Sequence, residues 1–261
     1  MRKLSTLFPD FDKALGLADS ILGHAGGYLH MNQEKVIIGG VTLKQIGGAW
    51  IAEDTIIGNN VTIFPGAILG RPPISVRAQQ RRVGESSLPP LTIGDNCVIG
   101  ANAVVYRGTA IGNDCLLGDT ACVREQVRIG DSCIIAMGVT INYNTTIGSR
   151  VKVMDNSHLT GNMTIEDDVF ISTHVTTTND NSMGREAALN IPMALRQRQG
   201  PLVRRHVTIG QSACILPGIE IGENTIVGAN AVVTKPLPAR VLALGVPARV
   251  IRELREDEIK R

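Results

Sequence analysis

From Ile93 onward the chain repeats with a period of six residues. Stepping by six from Ile93 reaches Ile99, Val105, Ile111, Leu117, Val123, Ile129, Ile135, Ile141, Ile147, Val153, Leu159, Ile165 and Ile171, and all fourteen positions are aliphatic. An α-helix would show a period of about 3.6 and a half-buried strand a period of about 2. A fixed period of about six is the mark of a hexapeptide β-helix, in which each hexapeptide is one short strand plus a corner. Three such units close a triangular coil of about eighteen residues, and stacking the coils buries the aliphatic column.

The turn chemistry agrees. Glycine follows the aliphatic residue at Gly94, Gly100, Gly112, Gly118, Gly130 and Gly148. Three positions after the aliphatic residue stand Asn96, Asn102, Gly108, Gly138, Asn144, Asn156 and Asn162. Gly and Asn tolerate the positive φ that a sharp corner demands. The next position is small or β-branched, as at Cys97, Ala103, Thr109, Cys115, Ala121, Val127 and Cys133. It is expected to be the second inward position.

Composition fits a narrow prism. Hydrophobic residues make up 43% of the chain but aromatics only 3%, because the core has room for Ile, Val and Ala and little for rings. A formal charge of +2 gives no case for nucleic-acid binding. No apolar run is long enough for a signal peptide or a membrane span, so a cytoplasmic protein is expected. Cys97, Cys115 and Cys133 are eighteen residues apart and so stack in one column. They read as small hydrophobes, and Cys115→Ser is expected to cost on the order of 1–3 kcal/mol. Cys122 and Cys214 have no CxxC partner, and no metal site is expected.

Residues 1–44 do not follow the repeat and are expected to cap the prism, with a short amphipathic helix in "FDKALGLADSILGHAG" and with His24 and His30 as surface residues. The coils run over 45–236, interrupted at 70–91 and 181–200. The first interruption holds Arg71, Arg77, Arg81 and Arg82, a set that suits phosphates, a neighbouring subunit or solvent. Lys235, Pro236 and Pro238 stop the coils, and the extension 237–261 ends in a charged stretch expected to be a short helix.

The repeat, together with the run "GANAVVTKPLPARVLALGVPARVI", resembles the hexapeptide-repeat acyltransferases. The resemblance implies an all-β fold, a left-handed parallel β-helix of hexapeptide repeats with an N-terminal cap, two extruded loops and a short C-terminal helix. It implies a homotrimer with sites between prisms, acetyl-CoA as acyl donor, and a coenzyme groove along the final coils. Arg204, Arg205, Ala229 and Lys235 are the cofactor-binding candidates. The stretch "SHLTGNMTIEDDVFISTHVTTTND" is similar to nucleotide-sugar acetyltransferases, in which the Asn–Asp matching Asn179–Asp180 lies at the site. Some relatives place histidines where this chain has Asn156 and Thr173; here they stand at His158 and His174.

The chemistry needs a base for the attacking amine or hydroxyl and a donor for the oxyanion. His174 and His158 are the candidate bases, and Asn156 is either a catalytic amide or a corner residue. His206 is a weaker candidate, and Glu166, Asp167 and Asp168 are available to orient a histidine. Asn179, Asp180, Arg185, Arg196 and Arg198 are the substrate candidates, the arginines for ligand phosphate or as surface charge. The column Gln126, Asn144, Asn162, Asp180 reads as a hydrogen-bond ladder. The expected reaction moves acetyl to an amino group of a nucleotide-linked sugar. O-acetylation of a sugar or other small hydroxyl acceptor is the first alternative, a non-catalytic β-helix assembly protein the second. A zinc carbonic anhydrase of this helix type carries two histidines five residues apart, a pair this chain lacks. A nucleotidyltransferase needs a large N-terminal domain that the first 45 residues cannot hold.

Overall fold

The computed structural model describes residues 35–38, 41–74, 88–183, 185 and 198–259, with the backbone alone for those before Ile46. The expected N-terminal helix, His24, His30, Arg77, Arg81, Arg82 and Arg196 lie outside the described residues. The chain forms a left-handed parallel β-helix of about nine turns. Among the described residues three sheets make the faces of the prism, with eleven, eight and ten strands. The first face includes Ile68–Arg71, Val104–Tyr106, Cys122–Val123, Thr140–Ile141, His158–Leu159, Thr176–Thr177 and Cys214–Ile215. The second runs from Ile56–Ile57 to Glu220–Ile221, and the third from Thr62–Ile63 to Arg249–Glu253.

Each strand is only two to four residues long along most of the prism, because the corner recurs every six residues. Strand partners are eighteen residues apart, as for Leu116 with Ile134 and Thr140 with His158. All fourteen aliphatic residues from Ile93 to Ile171 are buried. Each contributes ~1.5–3 kcal/mol relative to an exposed side chain. The second inward position is buried as well, from Cys97 and Ala103 to Val169 and Val175.

From Asn96 to His174 every corner residue three positions after the aliphatic one has positive φ, including Asp114, Thr120, Arg150 and Asn156. Asn and Gly hold such corners at little cost, whereas the other residues adopt the strained region because the strands on either side fix it.

The cysteine column is buried among apolar side chains, as expected of small hydrophobes, and also makes contacts that the expectation did not include. The Sγ atoms of Cys97, Cys115 and Cys133 are free thiols that donate to the carbonyls of Gly112, Gly130 and Gly148 at 3.2, 3.2 and 3.1 Å. Hydroxyls at the same phase make the same contact. Thr109, Thr145 and Ser157 donate to Arg124, Thr160 and Ser172 carbonyls at 2.7, 3.0 and 2.8 Å. The column is therefore apolar packing in which each thiol also has a carbonyl within reach of its weak S–H donor.

The ends also differ. Lys35–Ile38 and Val41–Ile46 form an antiparallel pair that continues onto Ala49–Ala52 and so extends the first sheet. The prolines after Val233 do not stop the coil. Leu237 bridges Ile221 and Leu242 pairs with Ile226, both at a spacing of sixteen. This last coil is two residues short of the regular one, so the six-residue count loses it. The expected C-terminal helix is a single 3-10 turn, Glu256–Glu258. The residues before it, Arg249–Glu253, pair antiparallel with Val241–Leu244. Val250 and Ile251 favour the strand, and the ladder satisfies backbone groups that a helix would otherwise need. Among the described residues no helix is long and apolar enough to cross a membrane.

Candidate active site

Both interruptions of the repeat fall at the same edge of the prism. The first follows Ile68–Arg71 and the second follows Thr176–Thr177, each on the way from the first face to the second. Partners across the first loop are thirty-six residues apart, so it adds one coil's worth of chain and preserves the phase. Partners across the second are thirty-eight apart. Four strands of the first face lie between the loops, and the last of them carries His158.

Arg107 anchors the first loop at both ends. Its backbone N–H donates to the Arg71 carbonyl at 3.1 Å, and its guanidinium reaches the Leu88 carbonyl at 3.3 Å. The same guanidinium grips Asp54 through two hydrogen bonds of 2.9 and 2.8 Å. That contact holds the Asp54 carboxyl below the usual carboxylate range.

At the foot of the second loop Asn179 donates to the Gly161 carbonyl at 2.9 Å. Asp180 accepts from the backbone N–H of Ser182 at 2.8 Å and lies 4.0 Å from Arg198. Asn144 donates to Asn162 at 2.9 Å, which is one step of the expected ladder, and Asn162 donates to the Arg198 carbonyl at 2.7 Å, which ties the far end of the second interruption to the prism. Gly161 is required here, because a Cβ would meet the Tyr143 ring at 2.7 Å. Asn179, Asp180 and Arg198 are thus brought together. Arg185 is exposed at the start of the loop.

The histidines occupy three different settings. His158 projects from the first face between Thr140 and Thr176. Its Nδ1 lies 2.7 Å from the Thr140 hydroxyl, and burial lowers its pKa below the ordinary 6.5. His174 and Asn156 sit on the neighbouring edge, where the third face turns into the first, both exposed and both with φ of +57°. Asn156 is a corner residue by its backbone. His206 lies on the edge between the second and third faces, in a groove of about 700 Å³ with Arg150, Lys152, Asp168 and Phe170. Among the described residues no three His, Cys, Asp or Glu side chains converge on one point.

The cofactor candidates do not gather on one chain. Arg204 and Arg205 lie on the edge between the second and third faces, Ala229 on the next edge and Lys235 on the third. Arg204 is also engaged, donating to Glu166 and Glu220 at 2.8 Å each. Burial works to raise Glu166, but the Arg204 contact and the Arg205 backbone N–H bring its pKa below the usual value.

Sequence reasoning passed over Tyr106, Arg107 and Arg124. Their signal was the coil spacing itself: Tyr106 and Arg124 are eighteen residues apart, and Arg71 pairs with Tyr106 across the first loop.

Comparisons with known proteins accord with this architecture. The family described as hexapeptide repeat of succinyl-transferase matches residues 90–118. The family described as bacterial transferase hexapeptide (six repeats) matches 108–143 and 200–235. The chain is 45% identical over 56 residues to galactoside O-acetyltransferase of Escherichia coli, covering 22% of this chain and 28% of that protein. It is 31% identical over 106 residues to galactoside O-acetyltransferase of Lactococcus lactis, covering 38% of this chain and 51% of that one. It thus spans about half or less of the curated relatives it matches. Among solved structures, LpxA from Acinetobacter baumannii aligns with a TM-score of 0.61 at 20% identity, covering 80% of this chain and 73% of that chain. That likeness is one of fold.

Proposed function

We propose, from the premise that the chain belongs to the hexapeptide-repeat acyltransferase superfamily, that it transfers acetyl from acetyl-CoA to a sugar. The acceptor group is an amine on a nucleotide-linked sugar, and the active form is a cytoplasmic homotrimer. The observation that carries this reading is the half-buried His158, held by Thr140 on the face between two interruptions of the repeat that fall at one edge.

His158 is the better of the two candidate bases. Burial keeps its imidazole neutral near pH 7. With the proton on Nδ1 and donated to Thr140, the Nε2 lone pair is free to take a proton from the acceptor. The acceptor arrives as the free amine, and its nitrogen attacks the thioester carbonyl as His158 takes one N–H proton. A C–N bond forms, the tetrahedral oxyanion collapses, the C–S bond breaks, and the proton on His158 passes to the departing thiolate. Asn179 and Asp180, fixed at the foot of the second loop, border the acceptor. His174, exposed at a corner, serves the turn.

A trimer is supported by apolar side chains left exposed on the third face and its edge, Phe64, Leu116 and Met137, which a neighbouring prism would cover. Similarity to galactoside O-acetyltransferases favours a second reading, a hydroxyl acceptor at the same base.

The test is release of free coenzyme A from acetyl-CoA with a panel of nucleotide-linked amino sugars and simple glycosides. An amino sugar consumed by the wild-type chain, and about 10²–10⁴-fold slower by His158→Ala, supports the reading. Equal rates in His158→Ala and wild type would remove His158 from the mechanism, and turnover of glycosides alone would select the hydroxyl acceptor.

A further inference from the structure

Tyr106 stands in a column with an arginine from the coil on either side. Arg71 lies opposite it just past a bulge that shifts the register after Leu69, and Arg124 follows eighteen residues later. The guanidinium carbons lie 5.0 and 5.1 Å from the ring centroid. Each cation gains from the ring's π-face, yet two like charges on one ring repel. Their surroundings treat them differently. Arg124 donates to Glu125 at 2.9 Å, and the Glu125 side chain is fully buried. The nearby Arg107 is matched by Asp54. Among the described residues Arg71 has no carboxylate partner, and its Nε is buried without an acceptor. Among the described residues, one positive charge without a carboxylate and one buried N–H without an acceptor are therefore left over. A buried donor without a partner calls for an explanation, and a planar guanidinium is matched best by phosphate or carboxylate.

We infer that the Arg71–Tyr106–Arg124 platform is an anion subsite that takes the phosphate or diphosphate ester of the acceptor. The inference rests on the acyl-transfer reading for its partner group, His158, but not for the platform itself. Both lie on the first face. His158 is two coils beyond Arg124, or ~10 Å along the axis at the usual spacing between strands. That span suits one sugar ring, with its reacting group at the histidine and its glycosidic phosphate on the arginines. The one rung between carries Thr140 and, two residues on, Asn142, both polar, as a floor beneath a sugar should be. The platform is also rigid before any ligand arrives, because Arg107 fixes both ends of the first loop from the adjacent position. The phosphates of coenzyme A are the other source of the same chemistry. The platform lies toward the N-terminal coils, away from the final coils expected to hold the coenzyme, and this assigns it to the acceptor.

The experiment is calorimetric titration of the full chain with UDP as the nucleoside-diphosphate probe and, separately, with coenzyme A. Arg71→Gln is the leading variant, since that side chain makes no ion pair among the described residues and its loss should leave the fold intact. Arg124→Lys keeps a charge opposite Glu125 while removing the fork. UDP affinity should fall about tenfold or more in Arg71→Gln, the scale of a hydrogen bond to a charged group. The dependence of binding on salt should become shallower, and coenzyme A affinity should be unchanged. Undiminished UDP binding in Arg71→Gln overturns the subsite, and loss of coenzyme A affinity instead overturns its assignment to the acceptor. Arg71-dependent UDP binding by a chain that transfers no acetyl would uphold the subsite and sink the acyl-transfer reading. Wild-type acetylation of a neutral glycoside without any UDP binding would do the reverse.

Discussion

Thr140→Val isolates what the contact to His158 contributes. The 2.7 Å contact between the threonine hydroxyl and Nδ1 orients the ring from a neighbouring strand. Valine keeps the shape and removes the oxygen. A hydrogen bond of this kind contributes about 0.5–1.5 kcal/mol net, so kcat should fall about 2- to 13-fold, while the base itself is worth about 10²–10⁴. In a His158→Ala background the Thr140→Val change should then have no effect on rate, because its partner is gone. The pH profile supplies an independent reading. Burial disfavours the imidazolium, so the folded pKa lies below 6.5. The neutral base is the working form, and the acid limb of kcat/KM should fall below that value and vanish in His158→Ala. Stability follows the same sign. Below the ordinary histidine pKa the unfolded chain binds a proton that the folded chain refuses, so this residue's contribution is lost as the pH drops. Stopped-time assays of coenzyme A release from pH 5 to 8 on the four variants, with melting curves, provide the data. An unaltered acid limb in His158→Ala, or a full Thr140→Val effect in that background, would refute the assignment.

Three further outcomes follow from the geometry. Cys115→Ser, expected from sequence alone to cost more, should change stability by only about 1 kcal/mol or less in urea titrations, because Ser157 and Thr145 show a hydroxyl making the same carbonyl contact; a loss above about 3 kcal/mol would contradict this. Gly161→Ala should destabilise by about 1–3 kcal/mol, since its Cβ meets the Tyr143 ring at 2.7 Å, and an unchanged melting temperature would show that the ring moves freely. Light scattering should give three chains of 27.9 kDa, and a stable, fully active monomer would refute the trimer.

The period of six determined the prism, because one aliphatic residue per hexapeptide can be buried only if the chain turns a corner each time. It located the inward columns and the corners, and the count survives the first interruption because the strands on either side are thirty-six residues apart. It also separated His158, one position before an aliphatic residue, from His174, at the corner phase shared with Asn156. What it left open were matters of contact. The sequence placed both histidines near one another, but only the packing gave His158 a threonine partner and left His174 in solvent. Cysteine as a small hydrophobe was a composition argument; the carbonyl lying beside each Sγ comes from the neighbouring coil. The final coil was hidden because its step is sixteen, a slip that no count of six survives. The grouping of Arg71, Tyr106 and Arg124 likewise needed the chain folded, since a loop of unstated size stands between the first two and the sequence does not say that their strands lie side by side. Periodicity fixes which way a side chain points, but which groups meet depends on the loops and corners that bring neighbouring coils into register.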